Sequence, residues 1–190
     1  GSSATPTAIV LQQSVDGTAS NSITVTTSST LAAASNAAYL AAITSRSPVA
    51  VVSVTGLGLT WTRLRAQCGG RQQTMVELWA GTGVPTPGPV VARFSTAPVS
   101  SVILVTRYDG VAASPFVTLV SGNTNGLNGG CSFGTDSNGY SLPLATTKPG
   151  AVVFAAVALR NRTLVPGAGY VRRDEVTTGV GGLTAGLVTV

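Results

Sequence analysis

Two short segments in the middle of the chain carry the residues best suited to binding a ligand. Residues 59–67 and 75–80 have the composition of β-strands, and the turn between them predicts a hairpin. Pairing Gln67 with Met75 sets the register, and side chains alternate between the two faces of a strand. One face then carries a stripe of two tryptophans, two arginines and a glutamate, namely Trp61, Arg63, Arg65, Glu77 and Trp79.

This stripe has two interpretations. In the predicted register Arg63 faces Trp79 and Arg65 faces Glu77, so indole rings can stack on a sugar while the charged groups hydrogen-bond its hydroxyls. The same contacts can instead form a structural ladder, in which Arg–Trp stacking contributes about 0.5–1 kcal/mol beside an Arg–Glu pair. The sequence leaves both open, and a shift of register by one residue would separate the groups.

Residue types needed for catalysis are scarce. The chain has no His and one Lys, which excludes Ser-His-Asp hydrolysis, the common zinc sites and the usual general base near neutral pH. A glycosidase needs two carboxylates across a cleft, and among the six acids only Glu77 and Asp109 lie close to strands with other polar groups. We therefore predict that the protein is not an enzyme and has no cofactor and no metal site.

The two cysteines, Cys68 and Cys131, both lie in Gly-rich segments. Such segments are usually exposed, where a free thiol is a liability, so we favour a disulfide over two free thiols. The bond would close a long loop and stabilise the fold by about 4 kcal/mol. It also predicts an extracellular location. Residues 1–3 resemble the remnant of an expression tag, which is compatible with the removal of a leader peptide.

Composition and turn residues predict the fold class. Hydrophobic residues make up 44% of the 190 and charged residues only 9%, with 23 Gly and 10 Pro. Short runs rich in Val, Ile, Thr and aromatic residues recur, and almost nothing repeats at helical spacing. We predict one all-β domain over residues 4–190, an antiparallel two-sheet β-sandwich, jelly-roll-like, with about ten to twelve short strands. The expected strands cover residues 8–13, 22–27, 39–45, 49–55, 59–67, 75–80, 90–94, 99–108, 116–120, 151–159, 169–173 and 183–190.

One long loop interrupts this pattern at residues 121–139. It exceeds the usual connection between strands, and loops of this length are normally functional or mobile. Oxygen side chains at Asp136 and Asn138 alternate as in a calcium loop, but the closing Glu of such a loop is absent.

Charge and hydropathy exclude two classes of partner. The net charge is +5, but the basic residues are scattered, with no long tract, so we predict no nucleic-acid binding. The longest apolar run, residues 151–159, is much shorter than the ~20 residues of a membrane span, so we predict no membrane insertion.

Several short motifs resemble a known module. They are GLTWTR at 58–63, VELWA at 76–80, the run 102–111, GYVRRDE at 169–175 and TAGL at 184–187. Together they are similar to a jelly-roll-like β-sandwich module of secreted and surface proteins from G+C-rich bacteria and their phages. The resemblance covers most of residues 39–190 and implies a binding or structural accessory role beside carbohydrate-active or adhesive domains. The long loop and the two cysteines are not part of that pattern.

Two functions follow from these observations. The first is a non-catalytic extracellular carbohydrate-binding or adhesive module that holds a glycan or cell-surface polysaccharide on the stripe. The alternative is a structural subunit of a virion, as a decoration, fibre or tail component, or of a cell-surface assembly. The mean hydropathy of +0.38 and the low charge favour this alternative, because contacts in a homo-oligomer or with an assembly partner would cover apolar surface.

Overall fold

The computed structural model describes residues 8–116, 118–178 and 183–189, the last of these ranges by its backbone alone. This part of the chain forms thirteen β-strands and no helix, which confirms the predicted all-β class. The strands are β1 (Val10–Ser20), β2 (Thr24–Thr26), β3 (Ala37–Arg46), β4 (Val51–Gly56), β5 (Thr60–Cys68), β6 (Thr74–Thr82), β7 (Val90–Phe94), β8 (Ser100–Asp109), β9 (Gly122–Asn123), β10 (Gly126–Leu127), β11 (Phe154–Arg160), β12 (Val171–Thr177) and β13 (Leu183–Thr189).

The strands form antiparallel sheets that pack as a sandwich. A central sheet of five strands has the order β1-β8-β3-β6-β5, and a sheet of three strands has the order β2-β7-β4. Pairing β1 with β8, β2 with β7 and β3 with β6 is the arrangement of a jelly roll, in which a long hairpin of strands is wrapped into two sheets. β5 departs from it by pairing with β6 in the central sheet. A further sheet, β11-β13-β12, adds a third layer.

The main core lies between the central sheet and the β2-β7-β4 sheet. Tyr39 and Ile43 of β3 and Ile103 of β8 face inward from the central sheet, where they meet Val25 of β2 and Phe94 of β7. These side chains are almost fully buried. Burial of a large apolar side chain contributes roughly 1.5–3 kcal/mol, so this core is the main source of stability.

The opposite face of the central sheet is also covered. Ala42, Val102 and Leu104 point away from the main core, and Phe154 of β11 and Val176 of β12 pack against them. Because both faces of β3 and β8 are buried, these two strands are buried at nearly every position instead of at alternate ones.

The predicted strand at residues 116–120 is wrong. The described residues of that segment are irregular, and Phe116 and Leu119 line an apolar cavity beside the central sheet. Conversely, the long loop contains the short hairpin of β9 and β10. Most described residues of 116–120 are exposed, so this apolar run is neither paired in a sheet nor buried in the core. An apolar run alone cannot decide whether a segment finds a strand to pair with.

β1 and β2 approach each other at Gly17, where their backbones leave no room for a side chain. A Cβ atom built on Gly17 would lie 1.9 Å from the carbonyl oxygen of Thr26. The contact continues in the hydrogen bond from the Ser28 N–H to the Asp16 carbonyl oxygen at 2.7 Å.

We expect Gly17→Ala to destabilise the protein by more than about 2 kcal/mol, because the added methyl group must push two backbones apart. Gly88→Ala is the matched control, since a Cβ there meets nothing within 4 Å. That control should change stability by no more than about 1 kcal/mol. Urea unfolding of both variants measures the difference, and equal midpoints would contradict the close approach.

Candidate functional site

The two tryptophans and the glutamate of the predicted stripe face into the sandwich. Trp61 and Trp79 are 9% and 8% exposed and belong to the main core, while Glu77 is 1% exposed. The indole Nε1 of Trp61 donates a hydrogen bond to the Gly56 carbonyl oxygen at 3.1 Å. The two indole rings are therefore packed against protein, and this burial favours the structural-ladder interpretation of the stripe.

A β-bulge in β5 changes the register of the hairpin. The first half of the pairing is as predicted, with Arg63 opposite Trp79. The bulge between Arg63 and Arg65 then places Arg65 opposite Leu78, so the predicted pairing of Arg65 with Glu77 is wrong. The reason is that one extra residue in a strand shifts every later pair by one position.

Glu77 joins the two sheets of the sandwich. Its Oε1 accepts a hydrogen bond from the backbone N–H of Val51 in β4 at 2.9 Å. Its Oε2 accepts one from Trp79 Nε1 at 3.0 Å and lies 3.6 Å from Nη1 of Arg63. A buried carboxylate is tolerated only when its oxygens are satisfied in this way. Glu77, Trp79 and Arg63 are thus brought together as predicted, but as an internal brace between β6 and β4.

The two arginines of the stripe reach solvent. The Arg63 side chain is half exposed. Arg65 is exposed, and its Nη2 lies 3.5 Å from Oδ1 of Asn128. Arg65 therefore contacts the long loop and has left the stripe. Of the predicted binding residues, only Arg63 and Arg65 have side chains that an external ligand can contact without repacking of the core.

The predicted disulfide between Cys68 and Cys131 is confirmed. It joins the end of β5 to the long loop, with the two Cα atoms 5.4 Å apart. Gln67 adds a second tie, because its Nε2 donates to the Gly129 carbonyl oxygen at 3.0 Å. We call residues 121–139 the anchored loop, since these contacts fix it to the β5–β6 hairpin.

Two asparagines hold the anchored loop in shape. Asn123 is buried, and its Nδ2 donates to the carbonyl oxygens of Cys68, Gly129 and Gly130 at 2.9–3.0 Å. The Asn125 Nδ2 donates to the Gly130 carbonyl oxygen at 2.8 Å and to another loop carbonyl at 2.9 Å. The amides thus satisfy backbone groups of a segment that has little regular pairing of its own.

Phe133 projects from the anchored loop into solvent. Its side chain is fully exposed, and its φ of 65° lies in the left-handed region that bulky residues rarely adopt. The backbone on both sides is fixed. The carbonyl oxygen of Ser132 accepts from Asn125, and the N–H of Gly134 donates to the Gly70 carbonyl oxygen at 2.8 Å. Strained backbone of this kind is concentrated at functional sites.

Asp136 pairs with a neighbouring arginine. Its Oδ2 lies 2.7 Å from Nη1 of Arg71 in the β5–β6 turn. Burial raises the pKa of the Tyr140 hydroxyl above its ordinary value of 10.0, and the nearby negative charge of Asp136 raises this pKa further. The residues that the structure describes contain no group of three or more Cys, Asp or Glu side chains that could hold a metal ion.

Three of the remaining carboxylates have partners of their own in the described part of the chain. Asp109 pairs with Arg107, Glu175 pairs with Arg172, and Asp174 accepts a hydrogen bond from Ser14. Asp109 lies at the end of β8 and the other two lie on β12, whereas Glu77 is enclosed between β6 and β4.

An apolar cavity of about 130 Å³ lies on the other side of the central sheet. Leu40, Leu78, Tyr108 and Phe154 line it together with irregular segments before and after the anchored loop. Its described lining has no charged or amide side chain, so the cavity offers few groups that could orient a polar ligand.

No match to this chain is found among protein-family models, curated proteins or solved structures. None of the residues that the structure describes belongs to a helix long and apolar enough to cross a membrane.

The residues that the sequence interpretation missed are Phe133 and its supports. An isolated aromatic residue beside a cysteine in a Gly/Asn-rich loop was a usable signal, because such a loop has no core of its own in which to bury a ring. No comparable feature of the sequence predicts the contacts of Asn123 and Asn125.

Replacing Glu77 should show that it is a brace. Glu77→Gln leaves one acceptor oxygen for the N–H groups of Val51 and Trp79, so we expect a loss of about 2–4 kcal/mol in unfolding free energy. Asp136→Asn makes the same chemical change at an exposed ion pair and should cost less than about 1 kcal/mol. Chemical denaturation distinguishes the two, and a Glu77→Gln protein as stable as the Asp136→Asn protein would refute the brace.

Removing the disulfide should also weaken the fold. Cys68 and Cys131 are 63 residues apart in sequence. A Cys68→Ser/Cys131→Ser double variant should therefore lose about 4 kcal/mol, because its unfolded state is less constrained. Thiol titration of the unfolded, unreduced parent chain should find no free thiol, and two titratable thiols would rule out the bond.

Proposed function

We propose that this chain is a non-catalytic extracellular β-sandwich module that binds carbohydrate in an adhesive role. The ligand contacts the anchored loop and not the stripe, because the tryptophans of the stripe are buried. The observation that carries the proposal is Phe133, a fully exposed aromatic side chain on a backbone that is fixed on both sides.

An aromatic ring held in water suits sugar recognition. The face of the ring carries partial negative charge, and the C–H groups of a sugar ring carry partial positive charge, so the two pack favourably. Because the backbone around Phe133 is already ordered, little conformational freedom is lost on binding. The exposed side chains of Thr135 and Asn138 in the same loop supply hydrogen-bonding groups for sugar hydroxyls.

The disulfide supports an extracellular site of action. Disulfides persist in oxidising surroundings and are rare in the cytosol. Cys131 is only two residues from Phe133, so the bond and the binding loop belong to one structural unit. We infer that the protein works outside the cell, secreted or at a surface.

The carboxylate positions support a binding role instead of hydrolysis. Glycoside hydrolysis needs two carboxyl groups facing one bond. Glu77 is enclosed in the core, and Asp136 is paired with Arg71. Neither is placed to act as an acid or a nucleophile on a sugar held at Phe133.

A second candidate function is a structural subunit of a virion or surface assembly. Two valines outside the anchored loop, Val84 and Val165, are 85% and 84% exposed. The jelly-roll strand order also occurs in capsid and lectin domains, an analogy at the level of fold alone. Contacts between copies would cover these side chains.

Phe133→Ala should remove carbohydrate binding without loss of stability. On an array of plant, bacterial and animal glycans, we expect the parent chain to bind at least one polysaccharide and the variant to lose affinity about tenfold or more. Tyr170→Ala removes an exposed aromatic from another part of the surface and should bind like the parent. An array on which the parent binds nothing would refute the proposal.

Light scattering over a hundredfold dilution separates the two candidates. A binding module is expected to stay monomeric, and Phe133→Ala should leave its mass unchanged. A stable oligomer at micromolar concentration that is insensitive to Phe133→Ala would favour the structural subunit.

A further inference from the structure

Arginines gather at the end of the sandwich that carries the β5–β6 turn. Arg46, the last residue of β3, pairs with Thr74 at the start of β6. Arg160, the last residue of β11, donates from Nη1 to Gln73 Oε1 at 2.8 Å. Arg71 lies in the same turn, two residues before Gln73. We call Arg46, Arg71 and Arg160 the basic end.

The basic end has donors left over for a ligand. A guanidinium group carries several N–H donors in a planar fork that fits a carboxylate or a sulfate. Arg71 is bonded to Asp136 and Arg160 to Gln73, whereas Arg46 makes no side-chain hydrogen bond or ion pair with the described residues. The Arg160 Nε is buried, so a ligand can contact this side chain at its terminal nitrogens alone.

Positive charge dominates this end. Asp136 is the carboxylate that pairs with the basic end, while Glu77 points into the core. The other acids, Asp16, Asp109, Asp174 and Glu175, lie on β1, β8 and β12. Arg162 is exposed two residues beyond Arg160 and adds to the charge. The cations near this end, Arg46, Arg71, Arg160 and Arg162, thus outnumber Asp136, the carboxylate that pairs with them.

Phe133 adjoins the basic end. The N–H of Gly134 donates to the carbonyl oxygen of Gly70 at 2.8 Å, and Gly70 immediately precedes Arg71. The ion pair between Arg71 and Asp136 spans the same junction. The exposed ring and the Arg71 guanidinium are thus carried by two segments that are hydrogen-bonded to each other and linked by the Cys68–Cys131 disulfide.

We propose that the ligand is an anionic polysaccharide, whose carboxylate or sulfate groups bind Arg46, Arg71 and Arg160 while a sugar ring packs on Phe133. The inference rests on the proposed carbohydrate-binding function and adds the chemical class of the sugar. Guanidinium–carboxylate hydrogen bonds are charge-assisted and bidentate, so they favour acidic sugars over neutral ones.

The same charge could attract nucleic acid or an anionic membrane, and the arrangement favours a polysaccharide. Nucleic-acid sites use longer basic stripes or several aromatic stacking platforms, because the phosphate charge is closely spaced. Here Phe133 is the one fully exposed aromatic ring of the described residues, and it adjoins the arginines of the basic end. A short stretch of acidic sugar fits that arrangement.

The experiment compares polymers that differ only in charge. The probes are polygalacturonate, alginate and hyaluronate, each with its carboxyl-reduced neutral counterpart, bound to the intact chain and followed by calorimetry. We expect each acidic polymer that binds to do so about tenfold or more tightly than its reduced form, with affinity falling as salt rises. Arg71→Gln should weaken this binding about tenfold and reduce its salt dependence, while Arg71→Lys should recover part of it.

Lys148→Gln is the matched control. It removes one positive charge from the segment between Thr146 and Ala151. These two residues line the apolar cavity together with Ala38 and Tyr108. The cavity therefore lies at the opposite end of the central sheet from Arg46. Its affinity should equal that of the parent. Thermal unfolding of every variant establishes that a loss of binding is not a loss of fold.

Three results would overturn the inference. Equal affinity for an acidic polymer and its reduced form would leave the carbohydrate-binding function standing and refute the charge preference. Failure to bind any of the acidic polymers would refute it as well, and a neutral glycan bound on the array would show that the proposed function survives. Tighter binding of single-stranded DNA, or of phosphatidylserine vesicles, would assign the basic end to another class of partner.

Discussion

Burial of the central sheet on both faces is the constraint on which the rest of the structure depends. β3 and β8 pack against the β2-β7-β4 sheet on one side and against β11 and β12 on the other. Side chains on both faces of these strands pack against other side chains, because an apolar interior is close-packed and leaves neither face open to water. The side chains of β3 and β8 are therefore closed to a partner, and exposed groups lie on the outer strands, turns and loops. The two tryptophans illustrate this, since their strand positions place them in the core.

Glu77 is a charged side chain that lies in the core of the sandwich. A carboxylate between two sheets is costly unless both oxygens accept hydrogen bonds, and here a backbone N–H of β4 and the indole of Trp79 supply them. The polar contact gives the two sheets a directional link that apolar packing lacks. Arg63 at the rim places a positive charge 3.6 Å from the same carboxylate. The cluster that resembled a sugar site is thus a device for aligning the sheets.

The anchored loop presents exposed side chains on a fixed backbone, which the buried strands of the central sheet cannot do. A long connection without its own core would be mobile, but the disulfide and the amides of Asn123 and Asn125 fix it to the β5–β6 hairpin. Rigid support of an exposed loop is the usual way in which a sandwich presents binding residues. The same hairpin turn carries Arg71 and contacts Arg160, so the exposed ring of Phe133 and these arginines lie at one end of the molecule.

The sequence by itself determined most of the strands, the all-β class and the disulfide, because alternation, turn residues and Gly-rich cysteine segments are local signals. It also placed Arg63 opposite Trp79, a pair that the structure keeps because the bulge offsets an error of one residue in the predicted register at the turn. Tertiary structure alone decided the direction in which the stripe faces, the bulge that separates Arg65 from Glu77 and the irregular path of residues 116–120. It also decided that Arg46, Arg71 and Arg160, far apart in sequence, share one end with Phe133. These features depend on which sheets cover which faces, and that is fixed by packing between distant segments and not by any short run of residues.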